Sequence, residues 1–484
     1  MIREVGTGKP YATIQAALDN LFAIEGANAF IETQTIRVYG GTYNETPVPN
    51  TLLNPTATYR LVIEAATGYY PILDGNNVAA LGFYVFQINY VTIKGFSVTK
   101  YTTAGIKIEL STNCVTQKNK CYGIGSAGIW FLSSTSGEAY ENNCYSNTNT
   151  GINFKLSATG KIYNNNCYSN LYGIAVDQSA NTIIYNNNCP LNTSSGIYIN
   201  ESTGCGTYNN TSYFSAIGIT FNSNSTNGIC KNNAIWSATG NCLYISDNSQ
   251  AGFVSDYNDL YPTGTGKAGY WTVARLTLLN WQTASGQDAN SISANPLFVN
   301  PGGTAAIDYR LTPASPCIKK GISLIAIFGI DYWGMERSTA CDIGIHEYSI
   351  SYNIAAIETE IINILSTITD LKTVIDYEPR IIPQLPAVTL FFNGFTQSQT
   401  EAVSFTVIYK WIMRLIVRLH DDEKAQDDLK AFTQLILYKF KQHLKLNGAV
   451  LFAISPSASV GAVLDKNNPV IIVEFDIEAT KEED

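Results

Sequence analysis

Apolar residues in the first half of the chain recur with a double rhythm. A Gly-Ile pair stands at Gly105-Ile106, Gly128-Ile129, Gly151-Ile152, Gly173-Ile174, Gly196-Ile197 and Gly218-Ile219, always 22 or 23 residues apart. Two places beyond each isoleucine comes a second apolar residue, giving Ile108, Phe131, Phe154, Val176, Ile199 and Phe221. Alternation at period two predicts a strand with one buried face, and a fixed short period predicts a solenoid. About 22 residues per repeat is too short for two helices, and the Ile, Tyr, Thr and Phe between Gly and Asn favour strands and turns.

Other columns share the phase. Asn119, Asn142, Asn165, Asn187, Asn209 and Asn232 form one, and Cys121, Cys144, Cys167, Cys189, Thr211 and Ala234 form another. Strands stacked about 4.8 Å apart set each residue above its counterpart in the preceding coil, so like side chains stack. Asparagine at a turn tolerates left-handed backbone and can hydrogen-bond its copies above and below. The cysteines read as inward-facing free thiols that fill small volumes, which suits folding in a reducing cytoplasm. A zinc site is not expected, because the first histidine is His346 and no close Cys-x-x-Cys pair occurs.

Composition changes near residue 351. All ten cysteines and 34 of the 37 glycines precede it, whereas residues 351–484 hold 12 basic and 18 acidic residues, roughly doubling the charged density. This predicts a boundary there, with 1–350 a solenoid unit (helix cap about 10–24, regular coils about 60–257, irregular end 258–350) and 351–484 a second domain. In TIQAALDNL the residues Ile14, Ala17, Leu18 and Leu21 share one helical face, a suitable cap for the exposed end of a solenoid. Strands are expected at Ile36–Tyr39, Leu61–Glu64 and Val91–Lys94. The apolar stretch from Val403 to Leu419 carries Lys410, Arg414 and Arg418 and reads as a strand rather than a membrane span. The opening MIREVGTGKPYATIQ has no apolar signal-peptide core. A net charge of −9 argues against a nucleic-acid-binding surface.

In the second domain the pattern predicts a helix at about 354–374, strands at 387–392 and 403–418, a helix at about 424–446, and strands at 449–454 and 470–477. Leu429, Phe432, Leu435, Ile436, Phe440 and Leu444 make one apolar face of the second helix. Asp427 and Asp428 near its start and Lys439, Lys441 and Lys445 near its end suit the helix dipole.

Two resemblances follow. Asn295-Pro296-Leu297-Phe298, Asp308-Tyr309-Arg310-Leu311, Ser315-Pro316-Cys317-Ile318, Asp331-Tyr332-Trp333-Gly334 and Asp342-Ile343-Gly344, with the opening TIQAAL and GTYNE, closely resemble right-handed parallel β-helix proteins of the pectin-lyase-like superfamily. Leu385-Pro386-Ala387-Val388, the Arg-bearing strand and the final VIIVEFDIEA strand resemble tail-terminator proteins of long-tailed phages. The implied fold class is mainly β, a right-handed parallel β-helix with a C-terminal α-β-β-α-β-β tail-terminator-like domain. The second resemblance implies a homo-oligomeric ring, usually a hexamer, between tail tube and head connector.

The residues do not spell out an active site. Lyases of this shape need a Lys or Arg base near carboxylates that hold calcium, yet no arginine stands between Arg60 and Arg275 and no adjacent carboxylate pair occurs in the coils. Glycosidases need clustered aspartates, and no Asp-Asp pair is present there. Lys155 and Asp177 should be neighbours on adjacent coils, where a surface ion pair is the plainer reading. Asp256 and Asp259 in SDYNDLYP suit turn capping more than cation binding. Tyr140, Tyr163 and Tyr185 form one column and Tyr122, Tyr145 and Tyr168 another, offering flat faces and hydroxyls to sugars.

The expectation is thus a structural virion protein, not an enzyme, assembled in the host cytoplasm and placed at the tail or neck. It would contact tail-tube and connector proteins and, through the β-helix, host glycans, with no cofactor, metal, nucleic acid or membrane partner. The alternatives are a tailspike-like or secreted polysaccharide lyase or hydrolase, and a non-catalytic carbohydrate-binding adhesin.

Overall fold

The computed structural model describes residues 1–348 throughout and, beyond them, the strands of a second unit with a few positions between. The chain divides into two units, Met1–Tyr348 and Ser349–Asp484.

The first unit is a parallel β-helix with three faces. An eleven-stranded sheet runs from Ile2–Val5 to Val254–Asp256, and a ten-stranded sheet runs from Leu81–Phe86 to Val273–Arg275. The third face has six strands, from Thr42–Tyr43 to Asn166–Tyr168, and then three, from Thr211–Tyr213 to Asp259–Pro262. It is interrupted at Cys189-Pro190, where proline has no N–H to donate, and single bridges Asn166–Asn188 and Asn188–Thr211 carry the register across. Parallel pairing thus begins at Ile2 and extends to Trp271, beyond the 60–257 span where the sequence is most regular.

Inward residues of the alternating strands fill the core. Ile129, Phe131, Ile152 and Phe154 are fully buried, and the rings of Phe131 and Phe154 meet edge-on at 4.4 Å between centroids. Each such side chain contributes about 1.5–3 kcal/mol. The repeat glycine has a steric cause. A Cβ on Gly128 would sit 2.6 Å from the carbonyl oxygen of Gly151, and one on Gly151 would sit 2.5 Å from that of Gly173.

The asparagine column forms a buried ladder, with one correction to its membership. Each side-chain Nδ2 donates to the Oδ1 one coil on, at 3.2 Å for Asn119–Asn142, 3.0 Å for Asn142–Asn165 and 2.9 Å for Asn165–Asn187. It then continues through Asn210, Asn233 and Asn258, at 3.0, 3.0 and 3.1 Å, rather than through Asn209 and Asn232. Coil length is not constant, and hydrogen-bond register decides which neighbour aligns. The left-handed turn and the ladder fall to adjacent residues: Asn164, Asn186, Asn209 and Asn232 have φ of 54°, 52°, 47° and 59°.

The same one-residue offset corrects the cysteine column. Cys121, Cys144 and Cys167 align and are fully buried, but Thr211 and Ala234 align with Asn143, Asn166 and Asn188. Two further ladders were not anticipated. Asn147, Asn170 and Asn192 form one, and Ser134, Ser157, Ser179 and Ser202 form the other.

Both ends of the stack are covered. The helix Ile14–Glu25 buries Ile14, Ala17, Leu18 and Leu21, the face expected of it. The Thr13 side chain caps it at the Ala16 N–H, and the Glu45 carboxylate of the GTYNE segment accepts from Ile14 N and Gln15 N at 2.8 and 3.0 Å. At the other end the helix Leu278–Ser285 inserts Trp281, fully buried, over Gly269, where a Cβ would lie 2.4 Å from the indole.

Residues 295–348 form a strap along the coils. Asn209 and Asn232, displaced from the ladder, hold it by donating to Asp342 O at 2.8 Å and Ile322 O at 2.8 Å. A buried Arg337–Glu347 pair at 3.3 Å and an Arg337–Asn186 hydrogen bond at 2.7 Å complete the seam.

In the second unit, Ala387–Gln399, Phe405–Arg418, Asn468–Glu483 and Val450–Asp465 lie in that order in one antiparallel array. All four expected strands are present; three are longer than anticipated, while Phe405–Arg418 lies within the expected 403–418. Thr373–Ile375 is a strand pairing in parallel with Ala387–Thr389, where the tail of the first helix was expected. Its β-branched residues prefer extended backbone. Lys445–Leu446 likewise pairs with Val450–Leu451 where the second helix was to end; the sequence between includes Asn447-Gly448, a dipeptide suited to chain reversal. Most of both expected helices lies outside the described residues. Among those residues no helix is long and apolar enough to cross a membrane.

Candidate functional site

The tyrosine columns expected to meet sugars do stack. Ring centroids are 4.7 Å apart for Tyr140–Tyr163 and 4.8 Å for Tyr163–Tyr185, with interplanar angles of 7° and 4°. Tyr122–Tyr145 and Tyr145–Tyr168 follow at 5.2 and 4.8 Å, both at 4°. Such stacking uses up the ring faces. Phe328 of the strap covers the end of the first column, stacked on Tyr185 at 4.5 Å, and the Lys120 ammonium lies 5.2 Å from the Tyr122 centroid. The six tyrosines present ring edges and hydroxyls outward; burial raises the pKa values of Tyr140, Tyr163, Tyr168 and Tyr185.

Asp256 and Asp259 serve the backbone. Asp256 accepts from Asn290 N at 2.7 Å and Asn290 Nδ2 at 2.8 Å. Asp259 is fully buried and accepts from Ala294 N at 3.0 Å; burial pushes its carboxyl up to about 7. Among the described residues no group of three or more His, Cys, Asp or Glu side chains is arranged to hold a metal.

A different face carries a cleft. On the outside of the ten-stranded sheet, register aligns Trp130, Asn153, Ala175 and Tyr198 on four successive strands. Ala175 is the small member, so the column dips there between taller neighbours. The resulting cleft has a volume of about 400 Å³. Trp130 forms one wall, with the Lys107 ammonium 5.1 Å from its centroid. Tyr198 forms the other, stacked with Tyr172 at 4.6 Å and 28°.

Beside this column runs a polar row. Lys155 Nζ lies 3.0 Å from Asp177 Oδ2, the neighbour relation expected from the repeat. Asn200 Nδ2 donates to Asp177 Oδ1 at 2.8 Å, and the Tyr198 hydroxyl donates to Asn200 Oδ1 at 3.2 Å. Asn222 Nδ2 donates to the Tyr198 oxygen at 3.3 Å. Burial raises the Tyr198 pKa, while the hydrogen bond from Asn222 opposes the rise.

Three buried polar atoms lining the cleft, Trp130 Nε1, Thr150 Oγ1 and Asn153 Oδ1, have no hydrogen-bond partner among the described residues. Unpaired buried polar atoms are costly and need a reason. Their convergence on one concave surface beside half-buried aromatic rings is the arrangement expected of a ligand site.

Of the residues singled out in the sequence, Lys155 and Asp177 fall in this cleft and the six tyrosines do not. Trp130, Asn153, Ala175 and Tyr198 are not marked by the repeat, which singles out only the columns of like residues. Their own column, two places after the repeat glycine, reads Lys107, Trp130, Asn153, Ala175, Tyr198 and Thr220, with no shared residue type. That lack of repetition was the available signal.

Residues 81–212 match the family described as right handed beta helix region. No curated protein matches the chain in sequence. Among solved structures, pectate lyase Pel9A is similar at 15% identity and a TM-score of 0.45, over 72% of this chain and 97% of that one. The A-module of mannuronan C-5 epimerase AlgE6 from Azotobacter vinelandii gives 16%, 0.35, 58% and 94%, in the same order. A DFA-IIIase from Arthrobacter chlorophenolicus A6 gives 10%, 0.39, 60% and 96%. At such identities no activity is transferred from them. The first unit is a right-handed parallel β-helix.

Proposed function

We propose that the β-helix binds a polysaccharide at the outer face of its ten-stranded sheet, with the cleft over Ala175 as the main contact. The observation that carries this reading is the break in the outward column. Between Trp130 and Tyr198 the small Ala175 opens a trough lined by Trp130, Thr150 and Asn153, each with a polar atom unpaired among the described residues. Aromatic faces for the apolar side of a sugar and amide or hydroxyl groups for its edge are the two things such a ligand requires. Lys155 and Asp177 are the charged groups lining the cleft, and in a depolymerase they would be candidates for proton transfer.

The test is binding of the full chain to a panel of soluble polysaccharides, with product analysis of the same mixtures. Binding that weakens about tenfold on Trp130→Ala, at unchanged melting temperature, is expected. Binding indifferent to that substitution would refute the site. Shortened chains or unsaturated ends that disappear on Lys155→Ala would extend the reading to an enzyme.

A second reading concerns the other unit. The four antiparallel strands expected of a tail-terminator-like domain support a proposal that it assembles the chain into a ring, in a virion, against tail-tube and connector proteins. Images of the purified protein on tail tubes test it. Monomers with no ring would count against it.

A further inference from the structure

We infer that the ligand of this cleft is an uncharged glycan, built of neutral or N-acetylated sugars rather than uronates. This rests on the reading just proposed and deepens it.

Charge balance is the first support. Lys155, the cation lining the cleft, is already paired with Asp177 at 3.0 Å, and Lys107 beyond the Trp130 wall is paired with Glu109 at 2.7 Å. Lysines elsewhere on the coils repeat the pattern, with Lys100–Asp74 at 2.7 Å, Lys118–Glu141 at 3.4 Å and Lys161–Glu138 at 3.4 Å. A uronate chain brings a carboxylate on every acidic sugar. In this cleft it would meet the Asp177 carboxylate without a surplus cation to offset the repulsion.

Hydrogen-bond chemistry is the second, independent support. Trp130 Nε1 is a donor only, the Thr150 hydroxyl is donor and acceptor, and Asn153 Oδ1 is an acceptor. A carboxylate accepts but does not donate, so a uronate offers fewer donors to Asn153 Oδ1 than a neutral sugar with its extra hydroxyl. A sugar hydroxyl donates and accepts; an acetamido group supplies an N–H and a C=O. The aromatic walls lie three strand spacings apart, about 14 Å, which leaves room for more than one sugar ring between Trp130 and Tyr198.

Affinity electrophoresis of the full chain distinguishes the cases, using gels containing galactomannan, arabinoxylan or glycol chitin against gels containing polygalacturonate or alginate. The expected result is retardation by at least one neutral polymer, little changed between low salt and about 0.3 M salt, and weakened about tenfold by Asn153→Leu, which removes the acceptor at similar volume. Asp177→Asn supplies a second readout that does not depend on loss. It frees the Lys155 ammonium, and the variant is expected to gain retardation by polygalacturonate that wild type lacks. Retardation of wild type by the acidic polymers alone, abolished by Trp130→Ala, would keep the cleft and overturn the uncharged ligand. Retardation by none of the five would overturn the cleft reading together with this inference.

Discussion

The β-helix carries two kinds of aromatic surface, and they differ in what occupies the ring faces. At the tyrosine columns each ring lies within about 5 Å of its copy on the next coil, nearly parallel, and the first column ends against Phe328. On the ten-stranded sheet, Trp130 and Tyr198 share a column but are separated by Asn153 and Ala175. Repetition therefore makes the first surface part of the scaffold, and interruption opens the second to a ligand. In a solenoid the positions that fail to repeat are where the surface is broken and a ligand can find room.

Several substitutions sharpen that contrast. The largest effect belongs to the shared core. Phe154→Ala removes a fully buried ring and is expected to cost about 3–5 kcal/mol in urea unfolding, while the folded fraction still binds polysaccharide. Next is Tyr198→Ala, which removes one wall and the hydroxyl between Asn200 and Asn222. Titration calorimetry should show binding about tenfold weaker, alongside a stability loss of roughly 1–2 kcal/mol from the Tyr172 stack and the lost hydrogen bonds. The smallest effect is expected from Tyr145→Ala combined with Tyr168→Ala, roughly 1–2 kcal/mol of stability from lost stacking and no change in affinity. Loss of binding in that double variant, with the fold intact by circular dichroism, would break the comparison and return sugar contact to the columns.

Much of the fold was legible because the repeat states its own geometry. Gly128 and Gly151 stand where a Cβ would strike the next coil's carbonyl, and Phe131 and Phe154 alternate inward. The apolar face of Ile14, Ala17, Leu18 and Leu21 gave away the cap. What could not be read was register where coils vary by one residue. Asn209 and Asn210 are chemically identical neighbours, and only hydrogen bonding decides that Asn210 joins the ladder while Asn209 holds the strap. The partnership of Glu45 with the cap helix was equally hidden, since it joins segments 31 residues apart through side-chain geometry alone.

The site was legible only in part. Lys155 and Asp177 were placed together by the period, and the structure brings them to 3.0 Å. Trp130, Asn153 and Ala175 form a site only as a set: a ring, an amide and a gap on consecutive strands. No single residue type announces such a set. The second domain shows the opposite limit, since Thr373–Ile375 sits in a helical spacing pattern yet pairs as a strand.

The gap at Ala175 makes the site, and Ala175→Tyr is the sharpest probe of it. That substitution restores a tall residue to the column and should close the cleft without touching the core. Calorimetric titration of wild type and variant with the same bound polysaccharide should show at least about a tenfold loss of affinity in the variant, at an unchanged or higher unfolding midpoint. Equal affinity in the two proteins, both folded, would contradict it.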